Sequence, residues 1–225
     1  MAFHLFFGSI GTLADTSDMQ RQAFNAAFDE AGLDWVWTPQ EYRRRLQIVG
    51  GAQRIEAFAE EKGLSVDVAA LHRAKSRHFQ TMLRAGAIFP HPGLADLIDE
   101  TRGAGGKVAL VTTTSRGNLD ALFAGLGARL SPDAFDLVID RSLVARPKPA
   151  PDVYRLALDT LRLAAADTAA IEDTPENAAA PVGAGLKTYG LPGTYPPDSQ
   201  WPEDVQRVDT LAEIARAERA TRQRA

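Results

Sequence analysis

The feature that most constrains this chain is an alternation of short apolar runs with helix-patterned stretches, broken once by a long tract that carries helical periodicity alone. Residues 2–7 form an apolar run closed by Gly8, the pattern of a strand covered on both faces. Similar runs at 107–111, 135–139, 168–171 and 186–189 each follow a helical stretch or a turn. That order predicts an α/β fold with a doubly wound parallel sheet.

Between the first two runs the residues at 18–31, 39–47, 52–62 and 66–85 all read as helices. A crossover with its helix needs only about thirty residues, so the surplus predicts an inserted all-helical domain over 16–86. The core is then 1–15 and 87–225. Phe89-Pro90-His91-Pro92-Gly93 marks the return, where two prolines stiffen a hinge. Residues 191–202 carry four prolines and one glycine and read as a surface loop.

Composition narrows the function. With no cysteine, a disulfide framework, a thiolate metal site and a cysteine nucleophile are excluded. A net charge of −4 argues against nucleic acid as a partner. The apolar N-terminus is short and lacks a basic region before it, so it reads as a strand of a cytoplasmic protein with no membrane partner. Gly103-Ala104-Gly105-Gly106-Lys107 has a phosphate-loop composition, but it follows a helix and precedes a strand, so it reads as a turn. The histidines at 4, 72, 78 and 91 have no ligand spacing.

In an open parallel sheet ligands bind outside the carboxyl ends of the strands. The residues that follow the predicted strands are Gly8-Ser9-Ile10-Gly11-Thr12-Leu13, Thr112-Thr113-Thr114, Lys148 within Arg-Pro-Lys-Pro-Ala-Pro-Asp, and Glu172-Asp173-Thr174. A hydroxyl, an ammonium group and two acids at one sheet edge suit a phosphate ester with magnesium between carboxylate and phosphate oxygens.

This order of motifs resembles the haloacid dehalogenase-like hydrolases, and the text around Lys148 and Glu172 is similar to their phosphoglucomutase-like and CbbY-like branch with a helical cap. The resemblance implies catalytic roles for Thr112 and Lys148, substrate contact by Thr113, and a magnesium site at Glu172 and Asp173. In the cap, Gly50, Gly51 and Arg54 match part of a Gly-Gly-Lys-x-Arg element that grips a distal phosphate in CbbY-like sugar-bisphosphate phosphatases, with Ala52 in the lysine position. Trp35 and Trp37 read as packing between cap helices.

One departure stands out. Alignment on Gly11-Thr12-Leu13 puts Gly8 on the family's nucleophilic aspartate and Ile10 on its acid/base aspartate. Removing a nucleophile costs a factor of roughly a million in turnover. The resulting expectation is a catalytically impaired relative, a pseudoenzyme that binds a small phosphorylated metabolite such as a sugar phosphate, with Mg2+ binding weakened by the missing carboxylates. The alternative is an active sugar-phosphate phosphatase with a non-standard nucleophile or directly activated water. Ser9, Thr12 and Asp15 are the neighbouring side chains with an oxygen that could attack. Strand alternation turns Ser9 away from positions 8 and 10, Thr12 reads as bonding the turn, and Asp15 as capping the first cap helix.

Overall fold

The computed structural model describes residues 3–86, 88–196 and 199–224. Its six strands are β1 (His4–Phe7), β2 (Val108–Val111), β3 (Leu137–Ile139), β4 (Thr168–Glu172), β5 (Lys187–Gly190) and β6 (Val205–Arg207). They form one sheet in the order β3-β2-β1-β4-β5-β6, every neighbouring pair parallel. Alternation of side chains sorts the apolar residues onto two faces. Leu5, Phe7, Val108, Leu110, Ala169 and Ile171 enter one core, while Phe6, Ala109, Val111 and Ala170 enter the other. Burial on both faces explains why these strands are continuous apolar runs.

The core helices are α5 (Leu94–Gly103), α6 (Arg116–Leu126), α7 (Asp152–Leu161), α8 (Pro175–Gly183) and α9 (Leu211–Arg224). The expected doubly wound sheet is therefore present, with one addition: β6 follows the loop after β5. Its three residues, Val-Gln-Arg, hold a single buried apolar side chain, too little to stand out as a strand pattern.

Among the described residues four helices lie between β1 and α5, namely α1 (Ser17–Glu30), α2 (Pro39–Arg45), α3 (Gly51–Lys62) and α4 (Val68–Ala85). They form the inserted helical cap. Phe24, Phe28, Trp35, Trp37, Tyr42 and Phe58 close its separate core, with ring centroids of Phe24 and Trp37 4.5 Å apart. Trp35 and Trp37 are accordingly buried packing residues. Helix α2 starts cleanly because Thr38 accepts a hydrogen bond from the Glu41 amide and Pro39 takes the first turn. Gly50, at φ 94°, sits in the left-handed region where a side chain would be strained.

Cap and core meet along α4 and α6, where Gln80 donates to Asn118 at 3.0 Å. The hinge is fixed by His91, whose amide donates to the Leu13 carbonyl and whose Nε2 lies 2.8 Å from the Gly11 carbonyl oxygen. A strap from the core also reaches the cap: Thr194 donates to Asp15, and the Tyr195 hydroxyl donates to Asp18 at 2.6 Å. Among the described residues, no helix is long and apolar enough to cross a membrane.

Candidate active site

The cleft between cap and core has a volume of about 690 Å³. Of the site positions singled out from the sequence, all reach its wall except Gly8 and Glu172, the latter fully buried. From the core come the Ser9–Gly11 turn, Thr112, Thr113, Lys148 and Asp173; from the cap come Gly50, Gly51 and Arg54.

Lys148 is buried, and its ammonium donates to the Gly8 carbonyl, to the Val111 carbonyl at 2.9 Å and to Glu172 Oε1 at 2.5 Å. It thus joins the ends of β1, β2 and β4. Tyr154, on α7, donates to the same Glu172 oxygen at 2.6 Å. Burial raises the Glu172 carboxyl above the usual carboxylate range, although Lys148 opposes the shift. The Tyr154 phenol is pushed well up by burial and by Glu172.

These groups change the meaning of Gly8. A β-carbon on residue 8 would collide with the Glu172 carboxyl group and the Tyr154 hydroxyl. The glycine is therefore not an empty place in the site: a carboxyl group supplied by β4 fills the room beside it. Ile10 is 5% exposed and belongs to the apolar core. Ser9 lines the cleft through part of its surface, yet its hydroxyl is buried and unpartnered. Thr12 donates to the Ser9 carbonyl at 2.7 Å and holds the turn. Asp15 accepts from the Ser17 amide and from Thr194, so it serves the strap as well as the start of α1.

Thr112 accepts a hydrogen bond from the Thr114 amide at 3.2 Å, which shapes the turn after β2. Helix α6 is capped by Ser115, whose side chain accepts from the Asn118 amide. Asp173 packs against Gly11 and accepts from Asn177 at 3.4 Å. Glu172 Oε2 is buried without a partner, an oxygen that a cation would satisfy. Mg2+ commonly uses one or two carboxylates together with substrate phosphate oxygens, so the Glu172 and Asp173 pair fits such an ion. Among the described residues no cluster of three or more acids or histidines gathers there.

In the cap, Arg54 Nε donates to the Ile48 carbonyl at 2.8 Å and the Arg45 carbonyl at 3.1 Å, which pins the α2–α3 turn. Two cleft residues escaped the sequence reading. Lys75 on α4 is buried, donates to Gln20 at 3.0 Å, and is driven down to about 7 by burial and by Arg54. Its signal was its place among Leu71, Phe79 and the other buried residues of α4. The other, Glu176, reads in the sequence only as an acid in the first turn of α8.

The fold and this edge define a haloacid dehalogenase-like hydrolase. A family model of that description matches residues 5–185, and the chain belongs to this family. Within it the chain is similar to Protein CbbY of Cereibacter sphaeroides, 37% identical with 93% of both chains covered. It is also similar to the plasmid-encoded Protein CbbY of Cupriavidus necator, 41% identical over 85% of this chain and 78% of that one. The crystal structure of CbbY from Rhodobacter sphaeroides in complex with phosphate superimposes with a TM-score of 0.82 at 36% identity, covering 95% of this chain and 96% of that one. A mutant of the same protein, in complex with xylulose-(1,5)bisphosphate, matches equally well.

These relatives correct one expectation. The replacement of two aspartates led to a catalytically impaired pseudoenzyme of uncertain enzymatic status. The likeness instead runs, over nearly the whole chain, to CbbY proteins captured with phosphate and with a sugar bisphosphate. Positions 8 and 10 are glycine and isoleucine, and the carboxyl groups that stand beside the Gly8–Gly11 turn are those of Glu172 and Asp173. The inference from two missing side chains to a dead site treated Gly8 as a hole, and the fold fills it.

Proposed function

We propose that this protein is a sugar-phosphate phosphatase that works without an aspartate at position 8. The carrying observation is the relative's complex with xylulose-(1,5)bisphosphate, in a fold that matches this chain at a TM-score of 0.82. The cleft supports the reading through its charges. Arg54 and Lys75 on the cap wall face a core wall with Lys148 and Arg141, an arrangement suited to a ligand with an anion at each end.

In this reading the reacting phosphate sits at the core wall, oriented by Thr112, Thr113 and Lys148, and the distal phosphate is held by Arg54 near Gly50 and Gly51. Glu172 and Asp173 would hold Mg2+, which supplies charge neutralisation for the phosphoryl oxygens when bound. With no side chain at position 8, water is the attacking group and its proton passes to a carboxylate of the cleft. Asp173 packs against Gly11 and reaches the cleft, whereas Glu172 is fully buried. As the water oxygen bonds to phosphorus the bond to the sugar oxygen breaks, and the proton held by the carboxylate passes to that oxygen, which leaves as the alcohol.

The test is phosphate release from xylulose-(1,5)bisphosphate with Mg2+ and with a chelator. Release is expected only with the metal, and Asp173→Asn should lower it by about a hundredfold or more. No release above the rate in buffer would refute the proposal.

A further inference from the structure

We propose that Glu176 is a specificity-determining residue that accepts a hydrogen bond from a carbon-bound hydroxyl of the ligand. The inference rests on the sugar-phosphate reading for the class of ligand. Glu176 stands on the first turn of α8, lines the cleft, and is fixed through one carboxylate oxygen, which accepts from the Ser199 hydroxyl. Its other oxygen, Oε2, is buried and has no partner.

A buried acceptor left unpaired is destabilising, so one that persists at a ligand cleft marks a place where a donor belongs. The donor's chemistry follows from the surroundings. A carboxylate accepts hydrogen bonds and repels phosphate, so Glu176 does not serve either anionic end of a bisphosphate. What remains between the ends is the polyol, whose hydroxyls are donors. Glu176, on α8 of the core wall, shares the cleft with the anion-binding residues Lys148 and Arg141 of the core and Arg54 and Lys75 of the cap, so an acid stands among cations that serve the two phosphate ends. An acid here selects for a hydroxylated chain over a bare one, because an analogue without the hydroxyl leaves the acceptor unpaired.

The test compares two ligands by calorimetry: xylulose-(1,5)bisphosphate and the bisphosphate of pentane-1,5-diol, which has the same two ends and neither hydroxyls nor a carbonyl. Wild type should prefer the sugar, and Glu176→Gln, which retains shape and the Ser199 contact, should shrink that preference about tenfold. Glu176→Asp, which keeps the charge but withdraws it, should also shrink it. A preference unchanged by both substitutions, or no preference in wild type, overturns the proposal. Phosphate release is measured separately on wild type: its absence defeats the hydrolase reading, while the ratio of affinities alone decides the role of Glu176.

Discussion

Substituting Gly8→Ala adds one methyl group at the point where the site is fullest. The new carbon would lie under 3.0 Å from the Glu172 carboxyl carbon, from one of its oxygens and from the Tyr154 hydroxyl. Glu172 can give way only by loosening its bonds to Lys148 at 2.5 Å and Tyr154 at 2.6 Å, and all three side chains are buried. Overpacking of this kind costs about 1–3 kcal/mol, and a weakened hydrogen bond to a charged group about 1.5–3 kcal/mol. Because a small shift relieves both strains together, a loss of about 2–4 kcal/mol is expected. For a chain of this size that lowers Tm by about 5–15 °C. Thermal and urea unfolding followed by circular dichroism would measure it, together with Tyr154→Phe and the double substitution. Removing the hydroxyl removes one of the obstacles, so the double variant should be more stable than additivity predicts by about 1 kcal/mol. A Gly8→Ala protein within about 0.5 kcal/mol of wild type, or strict additivity, would refute the account of a filled site.

Lys75 makes stability depend on pH. Its pKa in the fold, about 7, lies below the usual 10.5, so between those values the unfolded chain binds more protons and stability rises with pH. Lys75→Met should therefore exceed wild type in stability at pH 6 by about 1–3 kcal/mol, with the margin shrinking towards pH 10; equal margins at both ends in urea titrations would contradict this. Arg54→Ala should weaken xylulose-(1,5)bisphosphate binding by about tenfold or more, read by calorimetry, and an unchanged affinity would remove Arg54 from the ligand's reach. Tyr195→Phe should cost about 1 kcal/mol and speed proteolysis of the strap after β5, whereas unaltered cleavage would show that the bond to Asp18 does not hold it.

Much of the architecture was legible because a strand covered on both faces must be apolar throughout, and each of the first five strands could be read to within two residues of its ends. The helical insert was equally plain, since no crossover needs four helices. The site resisted in a different way. Thr112, Lys148 and Asp173 are announced by their positions after strands, but the side chain that fills the room beside Gly8 comes from β4, and its phenolic partner lies within an apolar stripe of α7 with Val153, Ala157 and Leu158. Spacing along the chain does not encode that encounter. Glu176 is similar: an acid in the first turn of a helix ordinarily favours the helix dipole, and only the fold shows that one of its oxygens is left without a donor at the cleft.

Lys148 carries a further implication. An ammonium group has three protons, and here they are taken by a carbonyl at the end of β1, a carbonyl at the end of β2 and the acid at the end of β4. An arriving phosphate can obtain a proton from this lysine only by displacing one of those acceptors. Ligand capture and the spacing of three strand tips are thereby the same event, so occupancy should be detectable as altered amide exchange at Gly8 and Thr112, the first residues beyond β1 and β2.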